Sequence, residues 1–124
     1  MTHKASRAAI AFENWREQVR RGGLDLAVLL SVAPGPRYGL EILRSLEVDS
    51  DLVVSEGTIY PILARLTRDG LLGAEWVTSG GSHPRKYYRL SDTGRRQLDE
   101  MSAHWEEFIQ KIARLRDAAE GDLR

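Results

Sequence analysis

The chain has 124 residues, of which 42% are hydrophobic and 29% charged, enough for one compact domain with an extra element and too little for two. Eighteen basic and eighteen acidic side chains cancel, so any polyanion-binding surface has to come from local segregation of charge. Cysteine is absent, which excludes disulfides, thiolate zinc sites and thiol nucleophiles and fits an expected cytoplasmic location. The longest apolar run, Leu26 to Leu30, is far below the roughly 20 residues of a membrane span, and the charges at Arg7, Glu13, Arg16 and Glu17 do not suit a signal peptide.

In chain order, Ala8, Phe12, Trp15 and Val19 step by four, three and four, the spacing of one helical face, which predicts a first helix over Ser6 to Arg20 with Gly22-Gly23 as its stop. Leu24 to Val32 is almost unbroken apolar sequence ended by Pro34-Gly35-Pro36, the pattern of a short second helix buried on most sides. A third helix is expected over Tyr38 to Leu46, with Ile42, Leu43 and Leu46 inward. Ser55 then suits the cap of a fourth helix with Ile59, Ile62, Leu63 and Leu66 as its buried stripe and Asp69-Gly70 as its end. Ala74 to Thr78 and Arg85 to Leu90, joined by Ser79-Gly80-Gly81-Ser82-His83-Pro84, read as a β-hairpin with a long loop. Ser91 looks like the cap of a last, long helix, whose Leu98, Met101, Trp105, Phe108, Ile112, Leu115 and Ala119 alternate steps of three and four in a heptad rhythm.

The fold class expected is mainly α with a small β-hairpin: a winged helix-turn-helix at residues 24–91, an N-terminal helix within 1–23 and a C-terminal dimerisation helix at 92–124. Charge follows a similar division. Residues 1–24 hold five basic and two acidic side chains, 25–54 two and five, 55–98 seven and four, and 99–124 four and seven.

In a winged helix, the helix before the hairpin enters the major groove and the hairpin reaches to the backbone or minor groove. At about 100° per residue, the fourth helix turns Gly57, Pro61, Ala64 and Arg68 outward, flanked by Thr58, Tyr60 and Arg65. That face is small, polar and cationic, without a carboxylate to meet phosphate repulsion. Arg65 suits a guanine edge or a phosphate, Thr58 and Tyr60 can donate to either, and Ser55 or the free amides beside it can hold a phosphate. Pro61, inside the helix, removes a backbone bond and is expected to bend it. On the hairpin, Arg85 and Lys86 would neutralise phosphates and His83 would touch the minor groove. The plainer alternative is a solvated face of a core helix beside hydrated basic residues.

Tyr38-Gly39-Leu40-Glu41-Ile42, Ser55 to Pro61, Arg65-Leu66, Asp69-Gly70-Leu71-Leu72 and Arg85 to Ser91 with Gly94 together strongly resemble the PadR family of bacterial transcriptional regulators, from about Leu24 onward. The resemblance implies a dimeric winged-helix repressor on a double-stranded operator, with Tyr38, Thr58, Tyr60 and Pro61 at the DNA and Arg85 and Lys86 in the wing. The short chain is similar to the subgroup that ends in one long helix. In some drug-sensing relatives, a tryptophan matching Trp105 lines a pore at the dimer centre and stacks on flat aromatic ligands, which makes Trp105 a candidate contact for a small aromatic inducer.

Paired half-sites about 34 Å apart need two heads on a rigid spacer. Met101, Trp105, Phe108, Ile112 and Leu115 exceed what a small head can cover and mark a dimer interface, joined by Phe12 and Trp15. An intramolecular clasp of the first helix on the last is the alternative. No enzyme is expected, because His3, His83 and His104 lack metal-ligand spacing and no serine sits in a nucleophile elbow. No metal, cofactor or membrane partner is expected. The rival function is a winged-helix adaptor that binds protein, favoured if Arg65, Arg85 and Lys86 are held in ion pairs.

Overall fold

The structure is a computed structural model and describes residues 6–78, 80–81 and 83–122. Ser79 and Ser82 of the expected hairpin loop, and His3, lie outside the described residues. Four helices and three strands follow in the order α1 (Arg7–Ser31), β1 (Arg37–Tyr38), α2 (Gly39–Ser50), α3 (Glu56–Arg68), β2 (Leu72–Val77), β3 (Arg85–Leu90) and α4 (Asp92–Asp122).

The two helices expected before Pro34 are one. Helix α1 starts on Ser6, whose hydroxyl accepts the amide of Ala9, and runs through Gly22-Gly23 without a break. Two glycines in a helix cost roughly 1 kcal/mol each relative to alanine. That cost is offset because Leu24, Leu26, Val28 and Leu29 are buried, each contributing about 1.5–3 kcal/mol. The helix therefore crosses the residue 23/24 boundary as one rod, about 37 Å long at 1.5 Å per residue.

The core joins α1, α2, α3, the sheet and the start of α4. Val28, Leu29, Ile42, Ile59 and Leu63 are completely enclosed, with Leu46, Leu66, Leu72, Tyr88 and Leu98 around them. The sheet has one strand more than expected: β1 pairs antiparallel with β3, Arg37 opposite Tyr88 and Tyr38 opposite Tyr87, giving the order β1-β3-β2. Two residues before a helix carry no alternation to reveal a strand.

Local stops and caps fall where the side chains require. Gly70 closes α3 at φ +81°, in the left-handed region glycine reaches without strain. The Ser91 hydroxyl accepts the Gly94 amide at 2.9 Å and donates to the Gly70 carbonyl at 2.6 Å, so one side chain caps α4 and ties it to the end of α3. At Gly94 any side chain would overlap the Leu71 carbonyl. This close approach fixes the direction in which α4 leaves the head. Among the described residues no helix is long and apolar enough to cross a membrane.

Candidate nucleic-acid interface

Helix α3 is set by Ser55, whose hydroxyl accepts the Thr58 amide at 3.2 Å and lies 3.0 Å from the Thr58 hydroxyl. Glu56 sits in the first turn and Arg65 and Arg68 in the last, each favourable to the helix dipole. The helix continues through Pro61. Pro61 lacks the N–H that would bond the Gly57 carbonyl, and both residues are exposed, so water can satisfy that oxygen. Gly57, Pro61, Ala64 and Arg68 form the outward ridge, all exposed, while Ile59, Leu63 and Leu66 face the core.

On one side of this ridge stands the wing. The Tyr60 ring lies against the first residue of α2, where a Cβ on Gly39 would come within 2.6 Å of it. A larger residue there would push the Tyr60 ring aside. Tyr38 packs edge-on to Tyr87 at 5.5 Å, and the Arg85 guanidinium lies 4.6 Å from the Tyr38 ring centre. Lys86 Nζ is 5.9 Å from the Trp76 ring and 5.8 Å from that of Tyr88. Such cation–aromatic contacts orient the charge without neutralising it. Burial pushes the Tyr88 phenol above its ordinary pKa, so it stays a neutral hydrogen-bonding group. Tyr38, Tyr60, Trp76, Arg85, Lys86 and Tyr88, with Arg44 beside them, line an open hollow of about 480 Å³ that has no carboxylate in its lining. Arg44 and Trp76 escaped the reading of the sequence: Arg44 faces away from the core of α2, and Trp76 is an isolated aromatic on a strand. His83, beyond Arg85, is exposed.

On the other side the expectation for Arg65 needs correcting. Its two terminal nitrogens grip Asp25 of α1 at 3.0 and 2.7 Å, a bidentate pair across 40 residues. The carboxylate pushes the guanidinium pKa further above its ordinary value, chiefly through this hydrogen bonding. Projection at 100° per residue turns Arg65 and Thr58 toward α1 and Tyr60 toward the wing, so Arg65 braces α3 against α1 and is not a free cation. Arg68 lies 3.9 Å from Asp69, with both side chains largely exposed, and that contact contributes little. Arg85 and Lys86 have no carboxylate within ion-pair distance among the described residues.

The expected dimerisation residues fall on two projecting helices. Met101 packs on the edge of the core. Trp105 reaches toward Gly23 of α1, its ring 3.8 Å from where a Cβ there would stand. Phe108, Ile112 and Leu115 on α4, and Phe12 and Trp15 on α1, are exposed. Within one chain the two apolar faces do not cover each other. Among the described residues no group of three His, Cys, Asp or Glu side chains is placed to hold a metal ion.

The family model described as "Transcriptional regulator PadR-like family" matches residues 28–100, more than half of the chain. The chain belongs to the PadR-like family. A transcriptional regulator of Mycobacterium tuberculosis is 32% identical over 95 residues, covering 77% of this chain and 87% of that protein. Among solved structures, a PadR family regulator from Eggerthella lenta is 37% identical with a TM-score of 0.72, over 86% of this chain and 96% of that one. A PadR-like regulator from Bacillus cereus is 31% identical with a TM-score of 0.69, over 79% and 95%. Proteins of the PadR-like family regulate transcription and are not enzymes. This PadR-like chain is accordingly a DNA-binding regulator with a winged-helix fold, mostly helical with a small three-stranded sheet.

Proposed function

We propose that the chain is a homodimeric repressor of a palindromic operator, with α3 of each protomer in the major groove of one half-site and the wing on the adjoining backbone. The observation that carries this reading is the pair Arg85 and Lys86, held in place by aromatic rings and left without carboxylate partners beside a carboxylate-free hollow. In contact with DNA, Gly57 and Pro61 allow close approach, while Thr58, Tyr60 and Tyr38 supply hydroxyls. Arg68 adds charge at the far end of the ridge and His83 contacts the minor groove. Ser55 occupies the Thr58 amide as the cap, and the uncapped amides of the first turn of α3 are offered to a phosphate. Arg65 acts through Asp25 by fixing the angle of α3.

Dimerisation is supported by the two uncovered stripes. At 31 residues, α4 is about 46 Å long at 1.5 Å per residue, a length suited to hold two heads about one helical turn of DNA apart. Trp105, where α4 leaves the head, is the proposed contact for an aromatic inducer. Asp99, Glu100, Glu106 and Glu107 on the same helix favour a cationic one. Glu107 pairs with Lys111 at 2.9 Å, and that hydrogen bond holds its carboxyl below the usual range.

The test is fluorescence anisotropy with a duplex from upstream of the protein's own gene, at several salt concentrations. Each phosphate neutralised contributes about −0.9 to the slope of log K against log salt. Arg85→Ala/Lys86→Ala is expected to flatten that slope by about 2 and to weaken binding. Full affinity in this variant would overturn the reading.

A further inference from the structure

A second hollow, of about 550 Å³, borders the ridge of α3 on the side opposite the wing. Its walls include Gly57 and Pro61 of α3 and Arg16, Glu17, Arg20 and Arg21 of α1, three guanidinium groups against one carboxylate. Arg16 is shared with Glu13 at 3.3 Å in an exposed pair. Arg20 and Arg21 have no carboxylate within ion-pair distance among the described residues.

We propose that Arg20 and Arg21, assisted by Arg16, form a second phosphate-binding flank, which grips the backbone on the far side of the groove that α3 enters. The inference rests on the placing of α3 in the major groove. A helix about 10–12 Å across fills a groove about 12 Å wide, so whatever borders it on either side meets a phosphate ridge. The wing meets one ridge and α1 the other.

Position on α1 keeps this face available in a dimer. At about 100° per residue, Arg20 and Arg21 lie roughly 110° and 150° from the centre of the Phe12, Trp15 and Val19 stripe, while Arg16 lies roughly 70° from it, at its border. A partner that covers the aromatic stripe leaves Arg20 and Arg21 open. Because α1 is one rod from Arg7 to Ser31, and Asp25 on it clasps Arg65 of α3, the phosphate-binding face is rigidly registered to the reading helix.

The experiment compares the full-length wild type with Arg20→Ala/Arg21→Ala and Arg20→Lys/Arg21→Lys on one duplex, with slope of log K against log salt as readout. Circular dichroism and sedimentation of each variant serve as controls. The alanine variant is expected to keep its fold and dimer mass and to flatten the slope by about 2, while the lysine variant restores it. A wild-type slope in the alanine variant overturns the proposal, as does equal loss in both variants with a changed melting curve, which would mark a structural role. If the wild type itself shows no salt-dependent binding, the placing of α3 on DNA fails. A steep wild type with an unaffected alanine variant removes the second flank alone.

Discussion

Leu29, Ile42, Ile59 and Leu63 are fully enclosed within one chain, whereas Phe12, Trp15, Phe108 and Leu115 expose more than half of their surface. The first set lies in the head, where α1, α2, α3 and the sheet converge, and the second on the free halves of α1 and α4. Both sets obey the same helical periodicity, so sequence pattern does not separate them. What separates them is the number of elements within reach: the head surrounds its apolar residues, and two projecting rods cannot. The head completes its own core, while the apolar residues at the ends stay uncovered within one chain. On the proposed reading, the head carries the DNA-contacting surface and the ends set the spacing of two heads.

The sharpest way to break this contrast is Phe108→Glu/Ile112→Glu. Two charges on the α4 stripe are expected to leave a folded monomer by sedimentation and to lower affinity for a paired operator by on the order of 100-fold or more, because the second head no longer binds intramolecularly. An intact dimer would show that the stripe is not the interface. Next in size, Leu63→Ala opens a cavity in a closed core and is expected to cost about 3 kcal/mol in urea unfolding. The same loss in the Phe108→Glu/Ile112→Glu background would establish that the head folds independently of the ends. Smallest is the brace between the regions. Arg65→Ala is expected to cost about 1 kcal/mol of stability, a figure kept low by the partial exposure of the pair. It should weaken operator binding without changing the salt slope, and a double-mutant cycle with Asp25→Ala should be non-additive. A flatter slope would return Arg65 to the DNA.

Much of the head is legible from short-range chemistry. Ser55, Gly70 and Ser91 bound their helices through hydrogen bonds or backbone conformations that involve residues at most four positions away, and the outward ridge of α3 follows from its buried stripe. The wing's cations are likewise local to β3. Three features are not legible. Gly22-Gly23 signals a stop, yet the burial that follows it carries the helix onward. Residues 37–38 become a strand only because β3 presents an edge. Arg65 reads as a free cation until α1 brings Asp25 beside it.

The sequence by itself determined helices α2 to α4, the hairpin, the outward ridge of α3 and the apolar stripes, since each depends on the periodicity and capping preferences of neighbouring residues. Only the tertiary structure decided which cations stay unpaired, because the Coulomb interaction that ties Arg65 to Asp25 depends on distance in space and leaves no trace in chain separation. The same holds for the two flanks of α3: the wing and the arginines of α1 border one ridge because of packing between elements far apart in the chain.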